Sequence, residues 1–299
     1  VSGTRKYHCR LKEPVMKLAS FRIKDNDTWG IIDDEKAYDI GDKFRARYPD
    51  LKALIAAHAY AEAQAAKSTA APYLIEQIDW LPVIPNPDKI FCVGLNYETH
   101  RQETGRAVVT HPTIFGRFAN SQTAHLRPIV RPRVSTDLDF EGELAVIIGR
   151  PGRYIPQGEA FEHVAGYACY NDGSIRDWQH HTHQFTPGKN FPETGSFGPW
   201  MMTPDELGDL RDLRITTRLN GQTVQEAVLG QMIFDVPTII EYCSSFSRLE
   251  SGDVILTGTP GGVGVKRTPP LWMKPGDIVE VQIERLGVLR NPIADEVFP

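Results

Sequence analysis

The chain has 299 residues, 41% of them hydrophobic and 24% charged, so it can bury a sizeable core and lies far from the polar composition of disordered chains. Lys and Arg total 33 against 38 for Asp and Glu, a net charge of -5 with no dense basic tract, which argues against a nucleic-acid partner. No apolar run reaches the ~18 to 20 residues of a membrane span and the N-terminal stretch lacks a signal-peptide core, so no membrane partner and a cytoplasmic location are expected.

Residues 1–15 read as a polar leader. Met16 opens a strand pattern from Lys17 to Ile23, a turn follows at Asp25, Asn26 and Asp27, and a second strand around Trp29 to Ile32 completes a hairpin. The Ala-rich run Leu51 to Lys67 predicts one helix. Pro82, Pro85 and Pro87 then interrupt both helix and central strand. A boundary is placed there, between a small N-terminal domain, 1–85, and a larger one, 86–299. In the larger part short strands recur at Ile90 to Val93, Thr113 to Phe115, Glu143 to Ile148, Gly166 to Tyr170, Ile215 to Leu219, Asp253 to Leu256 and Ile278 to Ile283. Val236 to Ser247 is the clearest helix. The pattern predicts an α+β, β-rich fold without regular βαβ alternation. The Gly-rich stretch Thr257 to Gly264 lacks GxGxxG spacing and a P-loop ending, and Pro260 removes an amide donor, which argues against a nucleotide site. Cys9, Cys92, Cys169 and Cys243 are widely spaced without a CxxC pair and are expected to be reduced and structural.

The segment Asp139-Phe-Glu-Gly-Glu-Leu144 carries the most chemistry. On a strand Phe140, Leu144, Val146 and Ile148 face one way, while Asp139, Glu141 and Glu143 face the other. Three anions ~7 Å apart in a row repel unless solvated, partly protonated or bridged by a cation. A hard divalent ion such as Mg2+ or Mn2+ is one remedy. It needs a third carboxylate, for which Asp172, just past Tyr170, is the nearest candidate. A solvated edge is the other. The cluster His180, His181 and His183 lacks further ligands and is expected at the surface or a pocket rim.

Several segments together resemble the fumarylacetoacetate hydrolase family: Val93-Gly-Leu-Asn-Tyr-Glu-Thr-His100 with Glu103, Asp139 to Leu144, Asn171-Asp-Gly-Ser-Ile-Arg-Asp-Trp-Gln179, Gly188-Lys189, Asn220-Gly221, and Gly252 to Gly264. Their order and spacing carry the resemblance over roughly residues 89 to 293. It implies a mixed β-sandwich roll with a small N-terminal α/β domain, a Mg2+ or Mn2+ site and a homodimer. Position by position it implies Glu141, Glu143 and Asp172 as metal ligands, and His100 with Glu103 as a water-activating pair. Arg176, Gln179 and Lys189 then contact a keto-acid end or a developing enolate. Thr259, Tyr97 and Arg117 complete the substrate pocket. Asp139 matches no ligand, and is left either to orient the site or to be solvated. Arg117 replaces a frequent Lys, and Asn190 to Ser196 departs from the common run, so the substrate's distal end stays open. Arg117, Arg101 and Arg106 would suit an acidic arm there.

The chemistry is consistent with that set. A neutral imidazole takes a proton from water near neutral pH and a carboxylate steadies the imidazolium, while metal, Lys and amide donors stabilise an enolate. The leading expectation is therefore metal-dependent hydrolysis of a C–C bond in a β-diketo acid, of the acylpyruvate or fumarylpyruvate type, in aromatic-compound catabolism. Decarboxylation, isomerisation or hydration of an oxaloacetate-like or muconate-derived 2-oxo acid uses the same chelate. A non-catalytic binding protein on the same scaffold is the reading from a different class.

Overall fold

The computed structural model describes residues 16–297; the polar leader and Cys9 lie outside the described residues. Strands Lys17–Ile23 and Asn26–Asp33 pair antiparallel, closing at Ile23 opposite Asn26. The turn is tighter than the Asp25 to Asp27 run suggested. Lys24, at φ 56°, and Asp25 make the connection, and Asn26 and Asp27 join the strand. Lys36–Asp39 and Ala71–Leu74 continue the sheet outward. Between them the single predicted helix is two, Leu51–Ala56 and Tyr60–Ala66. His58 adopts a left-handed conformation at φ 50°. The break lets Leu51, Leu54 and Ile55 from one piece and Tyr60 and Ala63 from the other reach the same core. Neither Gly nor Pro marks it in the sequence.

This wing is continuous with the rest of the molecule. Lys17–Ile23 also pairs with Gly195–Met202 through Lys17 opposite Met202 and Leu18 opposite Met201. The sheet then runs through Val164–Asp172, Gly142–Ile148, Val254–Leu256 and Ile90–Gly94 to Thr113–Arg117. Residues 81–89 carry neither helix nor strand, yet sheet and core cross that interval. Gly195–Met202 escapes the sequence pattern because Pro199 lacks the donor a central strand needs. It is tolerated where pairing with Val164–Asp172 shifts register between Tyr167 and Cys169.

A second sheet holds five strands in the order Gln222–Val228, Arg214–Leu219, Ile278–Ile283, Gly287–Asp295, Ile129–Arg131. Gly142–Ile148 is buried at every position and joins the two cores. Its Leu144, Val146 and Ile148 pack with Ile215, Val281 and Ile283 of the second sheet, and with Ile239, Ile240 and Cys243 of helix Val236–Phe246. Ala145 and Ile147, on the opposite face, pack with Leu18, Trp29, Leu51 and Leu54 of the wing. The helix begins where Asp235 accepts from the Thr238 amide at 2.9 Å, with Pro237 in its first turn. The architecture is thus a strand-rich α+β roll of large mixed sheets. Among the described residues no helix is long and apolar enough to cross a membrane.

Candidate active site

The acidic face of Gly142–Ile148 is confined to the strand's entry, since the same face continues as Ala145 and Ile147. There, register places Gly142 opposite Asn171 of Val164–Asp172. One step further out, the Asp172 amide donates to the Glu141 carbonyl at 2.8 Å and the Glu141 amide donates to Asn171 Oδ1 at 2.9 Å. Glu141 and Asp172 are therefore cross-strand neighbours, with Glu143 two positions along. Carboxylate oxygens of all three lie within 4.8 Å of one another, and all three residues are buried.

Asp139 takes no part in that cluster. The chain leaves the strand at Phe140, and Asp139 belongs to a separate two-stranded ladder with Ser174–Ile175. It is fully buried, which removes the solvated alternative. Its carboxylate accepts from the Gly264 amide at 2.7 Å and the Val265 amide at 3.0 Å, and pairs with Arg176 Nε at 2.8 Å. It therefore fixes the Gly-rich turn and aims Arg176, whose Nη2 reaches Glu141 at 2.7 Å. Lys189, 1% exposed, bridges Glu141 at 2.7 Å and Asp172 at 2.6 Å. Burial alone would raise the Glu141 carboxyl, but the charges of Lys189 and Arg176 outweigh it and hold the group low.

Glu143 is treated differently by its surroundings. No Lys or Arg forms an ion pair with it among the described residues, and it accepts from the Gly258 amide at 2.7 Å. Burial first, then the negative charges of Asp172 and Glu141, push its carboxyl well above the usual carboxylate range. Four buried acids thus face three buried cations, Arg117, Arg176 and Lys189, so the cluster is one cation short and Glu143 is the acid left without a partner. Three hard oxygen donors converging with excess negative charge fit a divalent cation of the Mg2+ or Mn2+ kind, held by Glu141, Glu143 and Asp172. Gly258 is required for this approach. It sits at φ 100°, and a Cβ there would come within 2.7 Å of the Asn96 Cβ and 2.9 Å of the Val93 carbonyl oxygen.

His100 and Glu103 occupy helix Glu98–Thr104, which ends at left-handed Gly105. The i, i+3 spacing brings His100 Nδ1 within 2.6 Å of Glu103 Oε1. A carboxylate only accepts, so Nδ1 donates and Nε2 stays free of protein partners among the described residues. The other Glu103 oxygen accepts from the Gly262 amide at 2.8 Å, and Thr99 Oγ1 accepts from the Gly261 amide at 3.1 Å. The helix is thereby fastened to the Gly-rich turn. The ring lines the same cavity as Glu141.

These groups share a cavity of about 110 Å³, whose wall includes His100, Glu141, Glu143, Arg176, Gln179, Lys189 and Thr259. Glu103 stands behind His100. Thr259 reaches the wall, but its hydroxyl donates to the Gly142 carbonyl at 3.0 Å and is engaged in holding the ladder. Two residues expected at the substrate lie elsewhere. Tyr97 pairs its backbone with Met232, and its ring enters the core beside Val93 and Leu144, where burial raises its phenol pKa. Arg117 sits beneath the floor, 3% exposed, with Nη1 donating to Asp172 Oδ1 at 2.5 Å and Nη2 to Thr194 Oγ1 at 2.9 Å. Its planar fork orients a carboxylate of the cluster and does not face the cavity.

Gln225 was not found by sequence reasoning. On strand Gln222–Val228, it accepts from the Gly142 amide at 3.0 Å and donates to Thr259 Oγ1 and the Pro260 carbonyl, each at 2.8 Å. One amide therefore ties the ladder to the Gly-rich turn from the opposite sheet. A lone Gln in a strand carries no signal of this. Asn96 does similar work, bonding the Thr257 carbonyl at 2.7 Å and both backbone groups of Phe234.

Residues 89–294 match the family profile Fumarylacetoacetate (FAA) hydrolase C-terminal. Among curated proteins, the mitochondrial oxaloacetate tautomerase fahd2 of Xenopus laevis is 42% identical over 218 residues, covering 72% of this chain and 68% of the relative. Among solved structures, the fumarylacetoacetate hydrolase of Exiguobacterium antarcticum superposes with a TM-score of 0.84 at 33% identity, covering 94% of this chain and 100% of that one. Maleylpyruvate hydrolase of Sphingobium sp. SYK-6, solved with manganese(II) and pyruvate, gives a TM-score of 0.79 at 26% identity with the same coverage.

Proposed function

This chain belongs to the fumarylacetoacetate hydrolase family, and from that premise we propose that it enolises a 2-oxo acid, interconverting keto and enol forms by proton transfer at C3. The observation that carries the reading is one cavity wall holding both the buried acids Glu141 and Glu143 and a carboxylate-steered imidazole. A divalent ion on Glu141, Glu143 and Asp172 would supply positive charge for the oxygens of such an acid and for the oxygen that becomes negative on enolisation. Lys189 adds a buried positive charge beside the same acids, and Arg176 offers a guanidinium in the wall. Through Nε2, His100 takes the C3 proton and returns it to oxygen, while Glu103 holds the ring and steadies the imidazolium between the two transfers.

Two further facts support enolisation. The cavity is several times the ~10 to 15 Å³ that one water occupies by this measure, room for an acid of three or four carbons. The frog relative is named for oxaloacetate tautomerisation. The test is the decay of enol-oxaloacetate absorbance with Mg2+ or Mn2+, against the same protein with chelator. Acceleration of about 10²-fold that chelation removes supports the reading, on the scale of positioned acid–base catalysis. Ketonisation at the buffer rate contradicts it.

A second reading, C–C hydrolysis of an acylpyruvate or fumarylpyruvate, is favoured by the same His100–Glu103 pair, which suits water activation. Solvent ¹⁸O appearing in the released carboxylate of an acylpyruvate distinguishes it. We read the protein as a homodimer, for which sedimentation at twice the 33.5 kDa chain mass is expected.

A further inference from the structure

The mouth of the cavity carries charge that proton transfer at C3 leaves unused. Of the three arginines suited to an acidic arm, Arg117 is locked to Asp172 beneath the floor. Arg101 is held by Glu98 and donates to the Arg106 carbonyl. Arg106 lines the cavity, just past Gly105, with its amide bonded to the Arg101 carbonyl at 3.2 Å. Lys266 lines the same mouth at the end of the short turn Gly264–Lys266, which Asp139 fixes from below through two amides. Both residues are exposed, and neither head group has an ion-pair or hydrogen-bond partner among the described residues. His180 lines the same cavity. Burial first, then the positive charges of Arg176, Lys266 and Arg106, lower its pKa. The acids in the cavity wall, Glu141 and Glu143, lie at the buried floor, so the mouth is positive without compensation.

From this arrangement we propose that Arg106 and Lys266 are specificity residues that accept a second carboxylate, so that the substrate is a short 2-oxo diacid. The inference takes its reaction from the enolisation reading; its anion preference is a binding property and is tested as one. An acid seated with one carboxylate at the floor presents its far end to two unpaired cations. A methyl group in that place leaves both cations to water.

The experiment compares malate with 2-hydroxybutanoate by calorimetry on the Mn2+-loaded protein. The two acids have the same chain length, differ by carboxylate against methyl, and neither can enolise at C3. Malate is expected to bind about 10-fold tighter, the scale of two partly exposed ion pairs, with the preference shrinking as salt is raised. In the double variant R106Q/K266Q the ratio falls to about one, while Lys274→Gln, an exposed lysine outside the cavity, keeps it. Malate bound no tighter than 2-hydroxybutanoate, no binding of malate, or a ratio unchanged in R106Q/K266Q overturns the proposal. A protein that keeps the malate preference but leaves enol-oxaloacetate at the buffer rate sinks enolisation alone.

Discussion

The floor of the cavity and its His100 wall are built to different standards of rigidity. Glu141, Asp172, Lys189, Arg117 and Arg176 are buried, and they interlock through short bonds where two paired strands end against a neighbouring strand and two short helices. The wall is a seven-residue helix fastened to the Gly-rich turn by the Thr99 and Glu103 side chains. Floor residues therefore stabilise the fold and hold charge, whereas wall residues contribute to chemistry while supporting little of the structure. Substitutions in the two regions should separate along that line.

The largest effect is expected at the floor. Arg117→Met strips Asp172 of one of its two buried partners and leaves four buried acids facing two cations, which costs about 3 to 5 kcal/mol. Denaturant unfolding reads it directly. A change confined to KM, with stability intact, would return Arg117 to the substrate. At the wall, His100→Ala should lower turnover by about 10²-fold or more while leaving unfolding midpoint and Mn2+ affinity near wild type. Glu103→Gln keeps one acceptor and should lose less. Because the two act as a unit, the double variant should be no worse than His100→Ala alone. Additive losses would break the pair apart.

The smallest effect lies outside both regions. His125 Nδ1 accepts from the Arg290 amide at 3.1 Å, and burial, then the Arg290 charge, lowers its pKa to about 4. The folded state thus favours the neutral ring. Its contribution is complete above the ordinary value near 6.5 and is lost as pH falls toward 4, amounting to about 1 kcal/mol at pH 5.5. His125→Asn should flatten that part of the pH–stability curve. An unchanged slope between pH 6.5 and 4 would remove His125 as its source.

Legibility in the sequence followed the same division. Period-two alternation in Glu143 to Ile148 places the acids on one face, and the motifs through Gln179 and Lys189 supply their partners, because strand geometry is local. Asp139 defeats that logic: its parity matches Glu141, but a break at Phe140 sends it to Arg176. Arg117 and Tyr97 were misplaced because motif proximity says nothing of which side of a strand or helix faces the cavity. Gln225 arrives from another sheet, 83 residues from Gly142, and only tertiary pairing brings it in. The helix break at His58 and the Pro199 strand were hidden for a related reason, since core packing overrode local preference at both.

Manganese titration followed by electron paramagnetic resonance tests the central claim most directly, with wild type beside Glu143→Gln, a substitution that keeps shape and removes the carboxylate without a cationic partner. The account predicts one bound Mn2+ per chain in the wild type and a loss of affinity of about 10-fold or more in the variant. Equal binding by both proteins, or none by the wild type at millimolar Mn2+, would contradict it.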